Sequence, residues 1–232
     1  MRNLYLKYII SLVVGLLVVI SSVCADEQPP PAMEICKEQS QCNLIGTQRS
    51  WPDQGFDSST VVFSNLIFNV RLPNTLDKVS IGFGKSQLYA VWFADQRVAF
   101  GIEEVPNEKT STDYQKILEE KSKSSWKPID IFRIIFSNKP TDKEPENAYE
   151  KYLWRTAFFY KAIVYKAPDS ASIFKRGPWT AYAANINGPT KYRLTIITHS
   201  DIDNRYLTIR DNGLSIDFLK KIIASIQLNE NI

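Results

Sequence analysis

Residues 191–228 constrain the fold most tightly, because two strands, a turn and a helix follow one another there without a break. Tyr192, Leu194, Thr195, Ile196, Ile197 and Thr198 form a run of aromatic and β-branched side chains, the composition of a strand on a half-buried pleated surface. The next run, 205–210, alternates: Leu207 and Ile209 point one way, Tyr206, Thr208 and Arg210 the other. That period of two predicts a sheet with one covered face and one open face. The residues 200–204 between the runs suit a hairpin loop. After the turn of Asp211, Asn212 and Gly213, Ser215 reads as a helix N-cap with Asp217 in the first turn. Leu219, Ile222, Ile223 and Ile226 then make an apolar stripe at i, i+3, i+4 and i+7, with Lys220, Lys221 and Ser225 off it. The helix is expected to fold back over the face of Leu207 and Ile209. Tyr206, Arg210 and the loop tip would then be the recognition surface of this unit.

At the other end, Arg2 and Lys7 precede an apolar run, 8–20, and Val23 and Ala25 supply small residues at −3 and −1 of a signal-peptidase site. Residues 1–25 therefore read as a signal peptide, cleaved after Ala25, which predicts a periplasmic or secreted protein. The run is shorter than the roughly 20 apolar residues of a membrane span. The alternatives are an uncleaved N-terminal anchor and a lipoprotein modified at Cys24, although Ser21, Ser22 and Val23 fit a lipoprotein signal badly. Any membrane contact would run through this segment. Cleavage removes Arg2 and Lys7 and no acid, so the formal charge falls from +3 to +1. So balanced a charge argues against nucleic acid as the partner, since phosphate binding rests on clustered Lys and Arg. Cys36 and Cys42 are left, and in an oxidising compartment a close pair with no histidine nearby reads as a disulfide, worth roughly 2 kcal/mol for so small a loop.

Residues 26–50 open with Pro29, Pro30 and Pro31, are mostly polar, and read as an extended spacer whose far end the Cys36–Cys42 loop pins. The remaining 51–232 read as one globular domain. Strands are expected at 61–63, 66–72, 78–83, 88–93 and 97–105, with Gly, Asn, Asp and Ser between them. Helices are expected at 112–121, from Pro128 to a stop at Pro140, and from 146 to about 165 with Tyr149, Leu153, Ala157, Tyr160, Ile163 and Val164 inward. The stretch 158–165 could instead be strand. Two further strands, 172–175 and 179–186, flank Gly177 and Pro178 before the closing unit. Strands, helices, strands and a last helix amount to an α+β fold with a largely antiparallel sheet covered by helices.

No stretch carries a complete catalytic pattern. Gly82, Gly84, Lys85 and Ser86 resemble the end of a phosphate-binding loop, but Val79 stands where its first Gly belongs and a strand follows instead of a helix. A turn between strands is the plainer reading. His199 is the sole histidine, and its neighbours Asp201 and Asp203 lack the Gly and distal Glu of a calcium loop. A solvated hairpin tip is expected there, with no cofactor and no metal. Glu103 and Glu104 end a strand, so one of the two must point inward, whereas Glu119 and Glu120 read as a solvated helix face. Trp154, Phe158, Phe159, Tyr160 and Tyr165 are more aromatics than one helix stripe can hide. Either the helix is sandwiched, or Trp154, Phe158 and Tyr165 join Tyr206, Arg210, Asp201 and Asp203 in an interaction surface.

The run Tyr206, Leu207, Thr208, Ile209, the turn after it, the helix ending Ile222, Ile223, Ala224, Ser225, Ile226, and the early strand Phe68 to Pro73 resemble Mog1/PsbP-like α/β/α domains of exported bacterial envelope proteins. The resemblance implies a binding or assembly accessory and transfers no functional residue. The expected function is a non-catalytic periplasmic protein with a protein partner, such as an immunity protein that neutralises a toxin or an envelope accessory factor. A small-ligand carrier or a hydrolase is the alternative, and it requires His199 and the Glu103–Glu104 strand end to converge on one pocket.

Overall fold

The computed structural model describes residues 30–57, 59–65, 67–82, 88–93, 96–105, 114–165, 171–186 and 192–229. Its centre is an eight-stranded sheet in the order β1-β7-β8-β9-β10-β6-β5-β4. These strands are β1 (Thr47–Ser50), β4 (Lys78–Gly82), β5 (Leu88–Phe93), β6 (Gln96–Glu104), β7 (Ser172–Arg176), β8 (Trp179–Asn185), β9 (Arg193–His199) and β10 (Arg205–Asp211). Every neighbouring pair is antiparallel except β1 with β7. A second sheet of β2 (Thr60–Ser64), β3 (Phe68–Pro73) and β11 (Gln227–Leu228) runs in the order β11-β3-β2. Among the described residues there are five helices: α1 (Ala32–Ile35), α2 (Tyr114–Lys121), α3 (Asp130–Ser137), α4 (Ala148–Val164) and α5 (Ile216–Ala224). The architecture is α+β, as expected.

Cross-strand register sorts the central side chains onto two faces. Tyr206, Ile196, Leu194, Tyr182, Ala184 and Ile173 share the helical face, where they pack with Phe132 and Phe136 of α3 and Leu153, Ala157 and Phe158 of α4. Ile209, Leu207, Ile197, Ala181 and Phe174 share the other face, under Phe68, Val70 and Leu72 of β3 and Leu219, Ile222 and Ile223 of α5. The alternation in 205–210 was therefore only half informative: Tyr206 and Thr208, expected to face solvent, are buried on the helical side. Tyrosine and threonine carry enough apolar surface to line a core once their hydroxyls find partners. The sheet is covered on both faces.

The closing unit folds as its sequence implies. Ser215 caps α5 by accepting from the Phe218 amide, and Leu219, Ile222, Ile223 and Ile226 are buried. Ser225, placed off the stripe, is buried too, because its hydroxyl accepts from the Arg71 amide (3.1 Å), tying the helix end to β3, and has the Ile222 carbonyl (2.7 Å) and the Arg71 carbonyl (3.0 Å) as acceptors for its proton. At the turn, Arg193 forms a two-pronged pair with the buried Asp211 carboxylate (2.9 and 3.0 Å). The same carboxylate accepts from the Gly213 and Leu214 amides (3.2 and 3.1 Å), and Gly213 holds φ of +103°, a conformation only glycine takes without strain. One buried acid thus fixes both the strand pairing and the helix entry.

Two boundaries shift for local reasons. The long helix starts at Ala148 because the Asn147 side chain caps the Tyr149 and Glu150 amides, with the Glu120 carboxylate taking the Ala148 amide, so Glu120 is a cap and not a solvated acid. The described part of the expected spacer is folded domain: α1, a 3-10 turn (Ser40–Asn43) and β1 occupy it, and Ala32, Cys42 and Leu44 are buried in the helical layer. Its polar composition concealed a strand that pairs at the sheet edge, where alternation has no face to hide. Cys36 and Cys42 are bonded, joining α1 to the 3-10 turn.

Because both faces are load points, Ile209→Ala and Ile196→Ala, 0% and 2% exposed on opposite faces, are each expected to cost about 2–5 kcal/mol. Urea denaturation checks this; a sheet open on its helical side would leave Ile196→Ala near zero.

Candidate functional site

Two-sided burial changes the inventory of candidate residues. Trp154, Phe158, Tyr165 and Tyr206 are all buried, so the aromatic half of the expected interaction surface is core. The physical reason is that α4 lies between the sheet and a ring made by α1, the 3-10 turn, α2 and α3, which buries it almost all round. Ile163, expected inward, is in turn left exposed. Asp201 and Asp203 do lie on the surface. Asp203 holds Lys127 at 2.7 Å and raises the lysine pKa, mainly through that hydrogen bond. Around Asp201 the tip is bound locally, its amide donating to His199 Nδ1 (3.3 Å) and its carboxylate accepting from Ser200 (3.1 Å).

Arg210 is partly exposed and belongs to a polar cluster on the helical face. The Glu103 carboxylate accepts from Arg210 (2.7 Å), Thr208 (3.1 Å) and Tyr206 (3.3 Å), which satisfies the one acid that the strand end turns inward. Burial first, and Glu103 second, hold the Tyr206 phenol protonated well above its usual range, so it stays a donor. Glu104 points the other way and pairs with Arg205 at 2.9 Å. His199 is buried on the small-sheet face, edge-on to Trp179 at 4.7 Å. Glu103 and His199 therefore stand on opposite sides of the sheet and share no pocket, whereas Glu104 is on the His199 face but is exposed and paired with Arg205. The segment resembling a phosphate-binding loop begins at Gly82, the end of β4, and 83–87 lie outside the described residues. Gly82 pairs with Leu88 across antiparallel strands, so the segment joins strand to strand.

Sequence reasoning missed Lys161, which is 0% exposed inside α4 and donates from Nζ to the Asn138 carbonyl at the end of α3. Burial lowers its pKa to about 7, with Asp142 acting weakly against the shift. A lysine with that pKa is suited to base or Schiff-base chemistry, but its amine is enclosed and occupied with an orphan helix carbonyl. Its position reads as a helix tie. Among the described residues no group of His, Cys, Asp and Glu is placed to hold a metal ion, and no helix is long and apolar enough to cross a membrane.

What stands open among the described residues is the two edges of the large sheet. The two edges of the large sheet differ in chemistry: β1 presents Thr47, Gln48, Arg49 and Ser50, whereas β4 presents Val79 and Ile81, 37% and 49% exposed, in a strand exposed throughout. Val61 and Val62 on β2 and Leu88 on β5 are exposed as well, so five of the nine exposed large apolar side chains among the described residues belong to β2, β4 and β5. β2 and β5 meet at this end of the sheet, where Phe63 of β2 stacks edge-on against Tyr89 of β5 (5.4 Å) and Tyr89 donates to the Ser64 carbonyl; Val79 and Ile81 share the Tyr89 face, and Leu88 lies on the other. On the helical side of the same edge, Lys78, Trp92 and Arg97 stand in one cross-strand row, with the Lys78 amine 5.1 Å and the Arg97 guanidinium 5.3 Å from the indole centre. The corner combines unpaired backbone, apolar side chains and two cations on an aromatic ring.

No family model matches the sequence, and no curated protein does. Among solved structures, the chain is similar to a protein of Bacteroides thetaiotaomicron VPI-5482, with 11% identity and a TM-score of 0.36 over 76% of this chain and 50% of that one. The match thus spans half the length of that protein.

The buried lysine gives a signed pH dependence. Between the folded value of about 7 and the unfolded value of 10.5 the unfolded chain binds the extra proton, so stability rises with pH across that window and is flat below it. The expected slope from pH 7 to 9.5 is roughly 1.4 kcal/mol per pH unit at most, and Lys161→Met removes it, as read by urea midpoints at successive pH values.

Proposed function

We propose that this is an exported, non-catalytic protein that recognises another protein by adding a strand of that partner to β4. The observation that carries the reading is the open β4 edge, whose Val79 and Ile81 stay exposed while the opposite edge strand is polar throughout. A flat apolar edge is a template for pairing, and soluble chains that do not use such an edge usually place charges or proline along it. Here Lys78 alone is charged within β4. The partner strand would set apolar side chains over Val79 and Ile81 and acidic ones toward Lys78 and Arg97. Export is supported by the signal-like residues 1–25 and agrees with the Cys36–Cys42 bond. The resemblance to Mog1/PsbP-like envelope domains favours the same class. A toxin neutralised in the periplasm and an envelope-assembly component are the two kinds of partner that fit.

Affinity capture from an envelope extract compares the wild-type chain with Val79→Lys/Ile81→Lys, a change confined to exposed positions. The expected outcome is one specific protein held by the wild type and weakened about tenfold or more by the double variant. Equal capture by both chains contradicts the reading, as does the absence of any specific protein.

A further inference from the structure

Away from that edge, the small-sheet face contains a hollow. Thr47, Ser172, Ala183 and Thr195 stand side by side across β1, β7, β8 and β9 and form a row of small side chains. The adjacent row on these strands carries Arg49, Phe174, Ala181 and Ile197, and α5 begins over the small row with Ile216. Where the floor lacks bulk, a cleft of about 370 Å³ opens between the sheet and the first turns of α5, lined by Arg49, Ser172, Ala183, Asn185, Arg193, Ile216 and Lys220.

Three of these lining residues are cations and none is an acid. Arg193 is committed to Asp211, and Lys220 is paired at 3.1 Å with the well-exposed Asp217 of its own helix, a surface pair of little strength. Arg49 is different. Its Nε donates to the Ser172 hydroxyl (3.1 Å), which fixes the guanidinium plane, and it has no carboxylate partner among the described residues. The Thr195 hydroxyl, next to Ala183 in the floor row, is fully buried and has no hydrogen-bond partner among the described residues. A hollow of small-molecule size and an oriented guanidinium occur together at one place in the fold.

We propose that this cleft binds a small organic anion, a carboxylate or a phosphate monoester. The Arg49 guanidinium clamps the oxyanion through its terminal nitrogens, Lys220 adds a second positive charge, and the Ala183 floor with the Ile216 rim covers the apolar part of the ligand. The site stands independently of the β4 edge, whose loss would leave it intact.

The test uses the mature chain at constant ionic strength, titrated by calorimetry with inorganic phosphate and, separately, with succinate. Saturable binding of at least one probe is expected; phosphate alone assigns the ligand to phosphate esters, succinate alone to carboxylates. Arg49→Gln, at an exposed position, should weaken binding about tenfold or more, and Lys220→Gln should weaken it in the same direction. Lys143→Gln, at an exposed lysine paired with Glu146, should leave it unchanged. Failure of both probes to saturate by about 50 mM overturns the proposal, because that ceiling is already weaker than a single oriented charge-assisted site requires. Wild-type affinity in Arg49→Gln overturns it as well.

Discussion

The structure depends on the central strands being apolar on both faces. In β9 and β10, Leu194, Ile196 and Tyr206 need one cover and Ile197, Leu207 and Ile209 need another. A sheet of that kind cannot stand with a single layer of helices, so the chain supplies two lids of different construction. Residues 114–165 provide three helices on one side, while β2, β3, β11 and α5 close the other. The Asp211–Arg193 pair is the hinge of this arrangement. It is buried at the point where β10 hands over to α5, and removing either partner would strand a charge in the core.

Much of the fold was legible because local signals and tertiary packing agree. The Ser215 cap, the α5 stripe, the strand runs and the Gly177 turn, with φ of +52°, all appear where the pattern puts them. The failures have physical causes. Alternation detects polarity, and Tyr206 and Thr208 are amphipathic, so a second buried face looked like an open one. The strand β1 has no apolar residue at all and pairs in parallel with β7, more than a hundred residues away, a contact no local pattern encodes. The aromatic excess of α4 was a true signal read in the wrong direction: it marks a helix packed on nearly every side.

The candidate sites were less legible still, because they arise from register. Glu103 and Arg210 are drawn together by the pairing of β6 with β10, and Arg49 meets Ser172 through β1 and β7. Exposure of Val79 and Ile81 follows from strand order, since an ordinary apolar alternation on β4 would be core one position further in. The β4 edge is where the described residues keep unpaired backbone and exposed apolar side chains on the same strand.

Hydrogen–deuterium exchange on the isolated chain measures that contrast directly, because it reads backbone protection strand by strand. The account predicts that β4 amides exchange far faster than those of β9 and β10, which are covered on both faces. Protection of β4 equal to that of β9 and β10 would mean that its edge is already covered in the chain alone, and would contradict the open edge on which the account rests.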